Sequence, residues 1–436
     1  VAPLRFLIIG NGPAGADAAL TLRERLGPDQ AHITLVSDEH DYFFSRTALM
    51  YAFMDKLDRQ DLEPYERPMW DRQHIQRLRD RAVNLDATRR VVTLRDVGEL
   101  PYDRLLIATG SCARPAPFDG AKNAKRGLVS FVSMQDLDAC EAAAQAAQRA
   151  VVIGGGLIGV ELVECLLHHK IPTTFLIREA SYLPSALTPG ESKIVEAHMR
   201  AHGADLLLGH EAHSLSCDPQ GTITSLTIKP TGGLPLEQPL ACDMVGVCIG
   251  VVPQIDWLKD AATPPKLGRG VIVDDAFRTD LDGVFAAGDC AQIERPGHPP
   301  LIETIWYSAR RQGRLAALSM LGDAVRYNPP LFFNSSKFFE IEYTTVGQVT
   351  SAPAGTRAVW RTAPSAPLSQ LITFGEDGAV LGFNMLGSRW NHRILGRWVL
   401  ERRNIHWVLQ HLSDAQHDVE LGRAPLASLI EQEITL

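Results

Sequence analysis

Over most of the chain, short uninterrupted apolar runs alternate with longer Ala- and Leu-rich stretches, the pattern of buried strands joined by helices. Residues 4 to 10 read as such a strand, 13 to 26 as its helix, and Gly27-Pro28 as the punctuation before a second strand, His32-Ile-Thr-Leu-Val36. The same order returns from Val151 to the strand Thr173-Thr-Phe-Leu-Ile177, and residues 190 to 203 read as a further helix. Residues 82 to 86 and 90 to 94 read as a hairpin and residues 206 to 230 as antiparallel strands. The charge-rich stretch from Asp55 to Arg81, broken by Pro64 and Pro68, reads as helix and loop with no chemistry. After Tyr327-Asn-Pro-Pro330 the spacing changes to alternation: Phe332 to Glu342, Thr345 to Val349, Ala358 to Thr362, Gln370 to Phe374 and Val380 to Met385 predict an antiparallel sheet. The tail from Asn391 to Leu412 has helical spacing, with Trp398, Val399, Ile405, Trp407, Val408 and Leu412 on an apolar stripe and Arg393, Arg397, Arg402 and Arg403 on a basic one. Such a tail fits packing on its own domain, or docking on an acidic protein or a membrane surface.

Two of the strand-to-helix turns carry glycines at one spacing. Phe6-Leu-Ile-Ile-Gly10-Asn-Gly12-Pro13-Ala14-Gly15 and Val151-Val-Ile-Gly154-Gly-Gly156-Leu157-Ile158-Gly159-Val-Glu161 both read G-x-G-x-x-G between a strand and a helix. The first glycine makes the tight turn, the second lets backbone approach a pyrophosphate, and the third lets the helix pack on the strand, so that phosphate meets the helix's positive end. One such motif is weak evidence, because glycine-rich strand ends are common. Two of them predict two dinucleotides on one polypeptide, and therefore Rossmann-like domains. In each, the following strand ends where a dinucleotide domain presents its ribose-binding residue: Ser37-Asp38-Glu39 in the first, Arg178-Glu179 in the second. Asp38 or Glu39 suits free adenosine ribose hydroxyls. An arginine at 178 suits a 2′-phosphate and a glutamate at 179 a free hydroxyl.

Composition narrows the classes further. At 436 residues the chain has room for two to four domains, and 45% hydrophobic with 22% charged residues is ordinary for a globular protein. A formal net charge of -8 argues against a general nucleic-acid binder. No apolar run reaches membrane-spanning length, and with the chain opening directly on a strand the expectation is a cytoplasmic protein. Seven cysteines, at 112, 140, 165, 217, 242, 248 and 290, show neither C-x-x-C nor zinc spacing, which predicts reduced thiols. His198 and His202 stand four apart on a helix, but without a carboxylate motif nearby they read as a solvated face.

The segment Asp41-Tyr-Phe-Phe-Ser45-Arg46-Thr-Ala-Leu49-Met-Tyr51, in this setting, resembles the pyridine nucleotide-disulfide oxidoreductase superfamily, and within it the branch of ferredoxin and rubredoxin reductases, the flavin domain of nitrite reductases and apoptosis-inducing factor. Later motifs extend the resemblance: Tyr102-Asp-Arg-Leu-Leu-Ile-Ala-Thr109-Gly110-Ser111, Asp243 through Gly250 to Pro253, Thr279 through Gly288-Asp289, and the helix Trp306-Tyr-Ser-Ala309-Arg-Arg-Gln312-Gly313. It covers residues 4 to 350 by motif and the remainder by position.

The resemblance implies an FAD domain over residues 1–114 and 246–327, interrupted by an NAD(P) domain over 115–245, and a C-terminal α+β interface domain with a helical tail over 328–436. It implies that Arg46 passes beside the flavin ring, that backbone at Ala82 touches the adenine, that Asp289 takes the ribityl hydroxyls, that Trp306 lies against the flavin, and that Glu161 sits near the nicotinamide. An ordinary glutamate complementing the helix dipole is the plainer reading of Glu161, and plain core that of Trp306. The implied activity is hydride transfer from NAD(P)H to FAD, then electron transfer to an external acceptor. With Ile177 in the slot where NADH-dependent relatives place an acid, NADPH is favoured over NADH.

One departure bears on the route. The disulfide reductases and the peroxidase branch place redox cysteines after the second strand, whereas no cysteine precedes Cys112 here. Electrons are then expected to leave directly for a partner such as a small ferredoxin, steered by Arg310, Arg311 and Arg314 with the tail arginines. The alternatives are a quinone-reducing NADH dehydrogenase using the tail as an anchor, or a flavoprotein subunit with a sensing or structural role; the interface domain suits a homodimer or a different subunit.

Overall fold

The strand Leu4–Ile9 is the middle strand of a five-stranded parallel sheet, ordered Val284–Ala286, Arg104–Ile107, Leu4–Ile9, Ala31–Ser37, Ile75–Arg79. In this computed structural model residues 2–364, 366–417 and 429–436 are described. They form two compact units, one of residues 1–114, 132–138 and 251–329, the other of residues 115–131, 139–250 and 330–436.

In the first unit Phe6 to Ile9 are all buried, in one core that also holds Leu22 of the helix Pro13–Arg25 and Leu85, Val92 and Leu94 of an antiparallel sheet, so the strand has no solvent side. The helix Pro13–Arg25 starts with Pro at its first position and lies beside the helix Trp306–Met320. Asp17 binds them together: almost fully buried, it accepts from Arg310 Nε at 3.0 Å and Arg314 Nε at 2.7 Å. Of the three arginines expected to form a basic surface, Arg310 is drawn partly inward at 28% exposed, whereas Arg314 keeps 58% of its side chain exposed and Arg311 is exposed. Two of the three neutralise an internal carboxylate, and Arg310 also lies over the Trp306 ring at 4.8 Å.

The second unit repeats the plan with a five-stranded parallel sheet ordered Asp205–Leu208, Thr173–Ile177, Ala150–Ile153, Met244–Val247, Leu128–Val129. Again the strand that precedes the glycine motif is central. The same unit contains a six-stranded antiparallel sheet ordered Phe333–Phe338, Ile341–Gly347, Val380–Leu386, Ser369–Phe374, Arg357–Thr362, Ile430–Thr435.

Several expectations need correction, and edge strands account for most of them. Ile75–Arg79 lies in the stretch read as helix and loop, yet it is the edge strand of the first sheet; its exposed Gln76 and Arg79 hide the apolar signal. Asp205–Leu208 pairs parallel with Thr173–Ile177, whereas residues 206 to 230 read as wholly antiparallel; only His210–Cys217 and Ile223–Pro230 form the hairpin. The expected hairpin at 82 to 94 gains a third strand, Gly98–Pro101. The run from Phe332 to Glu342 is broken by a hairpin turn at Phe339-Glu340, where Phe339 takes a positive φ of 56°. Likewise the tail is two helices, His392–Leu400 and Ile405–His411, separated at Arg402 with φ 52°.

The apolar stripe of that tail is spent inside its own unit. Leu395, Trp398, Ile405, Val408 and Leu412 are buried against Val346, Ile372, Phe374 and Phe383 of the antiparallel sheet. At roughly 1.5–3 kcal/mol for each such side chain, peeling the tail away to reach a membrane or another protein is strongly unfavourable. Arg402 pairs with Asp377, and Arg403 with Glu401 at 2.8 Å while lying over Trp407. Among the described residues no helix is long and apolar enough to cross a membrane.

Candidate functional site

Each glycine motif sits at the point where its sheet reverses strand order, the place where doubly wound sheets open a crevice for a ligand. Leu4–Ile9 has Ala31–Ser37 on one side and Arg104–Ile107 on the other; Ala150–Ile153 has Thr173–Ile177 and Met244–Val247. The crevice geometry is the same in both. Gly10 takes φ 112° and a Cβ on it would stand 2.1 Å from the carbonyl oxygen of Ala108, just past the strand across the crevice. Gly154 also takes φ 112°, and its Cβ would stand 2.3 Å from the carbonyl oxygen of Cys248, at the matching position. The third glycines, Gly15 and Gly159, leave no room either, at 1.9 Å from the Gly10 oxygen and 2.1 Å from the Gly154 oxygen.

The middle glycines differ in kind. A Cβ on Gly12 or Gly156 would meet nothing within 4 Å. Both precede a helix as N-cap without a side-chain cap, so no N-cap side chain takes up the first-turn amides at Ala14 and Gly15 and at Leu157 to Gly159. Two cradles with crowded outer glycines and an open centre are what a pyrophosphate requires. These residues therefore fit one dinucleotide in each unit.

Around the first cradle, Glu39 is committed. Its two carboxylate oxygens receive Arg46 Nη1 at 2.8 Å and Nη2 at 2.6 Å, and Oε1 also accepts the Met134 amide at 3.0 Å. Arg46 donates further to the carbonyl of Val132. Burial depresses the Arg46 pKa, but hydrogen bonds to Glu39 and the charges of Glu39, Asp289 and Asp136 outweigh it and hold the guanidinium above its ordinary value. Asp38 keeps its carboxylate more open, with Arg81 3.6 Å away.

Thr109 Oγ1 donates to the Gln254 carbonyl at 2.7 Å, and the Gln254 amide returns a bond to the Gly110 carbonyl at 2.9 Å, so the two chain passages of this unit are clasped at the A-T-G turn. Gly110 and Gly250 take φ 67° and 97° with open space where a Cβ would be. Asp289 accepts from Ser111 Oγ at 2.7 Å. Burial raises its pKa, opposed by that bond and by the charge of Arg46. Gly288, at φ 81°, puts its missing Cβ 3.0 Å from the Ala14 Cβ, which brings the turn at Gly288-Asp289 against the first glycine motif.

Sequence reasoning missed what holds these pieces. Gln312 is fully buried and accepts the Gly288 amide at 2.8 Å while donating to Glu303 at 3.0 Å. Asp80, almost fully buried, collects the amides of Arg81, Asp96 and Val97, shaping the start of the strand Ala82–Asp86. Burial pushes its pKa up, but those three bonds prevail and hold it below the ordinary value. No periodicity announces a polar residue that serves a turn elsewhere in the chain. Trp306, the first residue of its helix, keeps a buried indole Nε1 without a hydrogen-bond partner among the described residues.

In the second unit, Glu161 is not in the first turn of its helix Leu157–His168, which removes the simple helix-dipole reading. Burial pushes its pKa up to about 7, opposed by Lys337 and reinforced by Glu164. Lys337 itself donates to Glu164 at 2.6 Å. Ile177 ends its strand fully buried, and the first side chains beyond it are Arg178 and Glu179, which bind each other at 2.9 Å and are both accessible.

Of the two thiols in the first unit, Cys290 is buried and donates to the carbonyls of Ile107 and Ala287, while Cys112 lies on the short strand Ser111–Ala113. Burial raises the pKa of both, so neither is a ready thiolate. Among the described residues no disulfide forms.

The twin crevices define an oxidoreductase that works with two dinucleotides. The chain belongs to the pyridine nucleotide-disulphide oxidoreductase family, whose model matches residues 4–313; FAD and a nicotinamide coenzyme are its two dinucleotides. It is 30% identical over 348 residues to the 5,5'-dehydrodivanillate O-demethylase ferredoxin reductase subunit of a Sphingobium species, spanning 78% of this chain and 81% of that protein. It is 27% identical to a ferredoxin–NAD(P)+ reductase of a Sphingomonas species over 96% of this chain and 97% of the other. Among solved structures, the covalent putidaredoxin reductase–putidaredoxin complex superposes with a TM-score of 0.78 at 23% identity, covering 92% of this chain and 94% of that one.

Proposed function

We propose that this chain carries electrons from a reduced nicotinamide coenzyme through FAD to a ferredoxin-type iron–sulfur protein. The observation that carries the reading is the pair of matched cradles together with the absence of any cysteine before Cys112, where redox cysteines would follow the second strand. Relatives named as ferredoxin reductases support the choice of acceptor.

When bound, FAD supplies the redox chemistry, taking two electrons and a proton from the nicotinamide and releasing electrons to the acceptor. The chain's own residues bind and position. In our reading Gly10, Gly12 and Gly15, with the amides at Ala14 and Gly15, receive the FAD pyrophosphate, and Pro13 presets the helix start. Asp38 receives the adenosine ribose, because Glu39 is occupied by Arg46. Ala82 lines the adenine side and Asp289 takes the ribityl hydroxyls. Arg46 is a positioning residue that fixes Glu39 and the 132–136 segment, and Trp306 is a wall. Gly154, Gly156 and Gly159, with Leu157 and Ile158, hold the coenzyme pyrophosphate, and Gly250 leaves room beside it. Glu161, at a pKa of about 7, can hold or release a proton at its carboxylate near neutral pH.

The corresponding domain division is FAD-binding over 1–114 and 246–327, NAD(P)-binding over 115–245, and an interface domain over 328–436. A cytoplasmic location accords with reduced cysteines. The quinone-reducing alternative rested on a tail free to enter a membrane, and the tail is packed on its own sheet.

Anaerobic stopped-flow mixing of the yellow protein with NADH and with NADPH, followed by a ferredoxin or a quinone, tests the reading. Rapid bleaching by one coenzyme and rapid reoxidation by ferredoxin are expected. Absence of bleaching with either would move the chain to a sensing or structural flavoprotein subunit, and reoxidation by quinone alone would replace the acceptor.

A further inference from the structure

His198 sits in the last turn of the helix Pro189–Ala201, and His202 is its C-cap. The carboxylate that the sequence did not offer them arrives from far along the chain. Glu340 stands at the tip of the hairpin between Phe333–Phe338 and Ile341–Gly347, in the same unit, where the left-handed turn at Phe339 presents it to the helix. His198 Nε2 is 3.1 Å and His202 Nε2 is 2.9 Å from one and the same oxygen, Glu340 Oε2. The three ligand atoms lie within 4.8 Å of one another.

The protonation pattern of His202 is set by its other nitrogen. Nδ1 lies 2.9 Å from the carbonyl oxygen of His198, which can only accept, so Nδ1 carries the hydrogen. In a neutral ring Nε2 is then a bare lone pair aimed at a carboxylate oxygen, and two acceptors face each other. Either a proton on Nε2 or a metal ion must lie between them. A ring held by an Nδ1–H···O=C bond, leaving Nε2 free, is the arrangement by which proteins orient metal-binding histidines. Two histidines four apart on one helix face, with a carboxylate, are a donor set of the zinc type.

The spacing also suits a metal. Two bonds of about 2.1 Å at a tetrahedral angle hold ligand atoms about 3.3–3.4 Å apart, a few tenths of an ångström wider than the present 2.9 and 3.1 Å. Glu340, 71% exposed, can retreat by that amount. Phe339 supports the site from below, with its ring 5.1 Å from that of His202 and 6.3 Å from that of His198.

We propose that His198, His202 and Glu340 form a binding site for one divalent transition-metal ion of the zinc class, with its fourth position open to solvent. The ion joins the helix Pro189–Ala201 to the hairpin of the antiparallel sheet, so it acts as a clasp within the second unit and takes no part in electron transfer. Imidazole donors select zinc, nickel or copper over magnesium and calcium.

The test uses the FAD-loaded full chain, stripped with EDTA and titrated calorimetrically with zinc chloride alone. One equivalent is expected to bind, with a rise in Tm that magnesium chloride does not reproduce. His202→Ala and Glu340→Gln should each weaken zinc binding by at least about tenfold and abolish the Tm rise, while retained flavin absorbance shows that the variants are folded. Absence of a zinc-dependent heat and Tm change in the unaltered protein would overturn the site. So would zinc binding that survives both substitutions but is lost on alkylating the cysteines, or an equal response to magnesium.

Discussion

Gly313 of the helix Trp306–Met320 lies so close to Ala14 that a Cβ on it would stand 2.0 Å from the Ala14 carbonyl oxygen. This contact lets the two helices meet directly beneath the first cradle. Gly313→Ala must push them apart, and overpacking of this kind costs about 1–3 kcal/mol. The variant is expected to melt several degrees lower and to purify with less flavin, read from the ratio of flavin to protein absorbance. Unchanged melting and flavin content would show that the helices yield freely.

The pair formed by Arg46 and Glu39 is bidentate, and a lysine cannot reproduce that fork. Arg46→Lys keeps the charge but loses one of the two bonds and the contact with Val132. FAD is expected to dissociate several-fold more readily from it, measured by the recovery of free flavin fluorescence on dilution. If the lysine variant retains FAD as tightly as the unaltered protein, the fork has no role in holding the slot.

The mutual pairing of Arg178 and Glu179 at 2.9 Å leads to a prediction about coenzyme choice. Glu179→Ala releases the arginine for a 2′-phosphate, and the ratio of kcat/KM for NADPH over NADH is expected to rise about tenfold or more, the worth of a charge-assisted hydrogen bond. Arg178→Ala should move the ratio the other way. Steady-state kinetics with both coenzymes decides it, and parallel changes for the two would place the 2′ position elsewhere.

A stability effect of pH follows from Glu191. It is fully buried, its Oε1 has no hydrogen-bond partner among the described residues, and burial pushes its pKa up to about 7 against bonds from Thr188 and Asn384. Between the ordinary glutamate value of about 4.3 and that higher one, the folded state binds the proton more tightly than the unfolded state. Stability must therefore fall as pH rises across this window, by on the order of 1–3 kcal/mol between pH 5 and 7.5. Glu161, with a pKa of about 7 for the same reason, contributes in the same direction. Denaturant unfolding of Glu191→Gln at the two pH values should show a shallower slope than the unaltered protein, and an equal slope would contradict the assignment.

Much of the fold could be read from local pattern alone. Phe6–Ile9 and Ala150–Ile153, the runs that lead into the glycine motifs, are unbroken and apolar, and each motif states its own turn, since only glycine fits where a Cβ would enter a neighbouring carbonyl. The edge strand Ile75–Arg79 was illegible because an edge exposes one side and takes polar residues there, whereas at Asp205–Leu208 only the parallel pairing was hidden. The tail helices were visible as an amphipathic stripe, but the stripe says only that something covers it, and the partner is the sheet of Val346, Ile372 and Phe383.

The amino-acid sequence by itself determined the two cradles, their order along the chain and the family, because these depend on residues within a few positions of each other. Tertiary structure alone decided which polar groups meet. It joined Arg310 and Arg314 to Asp17, tied Glu39 to Arg46, set Lys337 beside Glu161 and Glu164, and brought Glu340 to His198 and His202. The physical reason is range. Hydrophobic periodicity is written within one element, whereas a charge finds its partner only when elements distant in sequence have packed, and no spacing along the chain records that meeting.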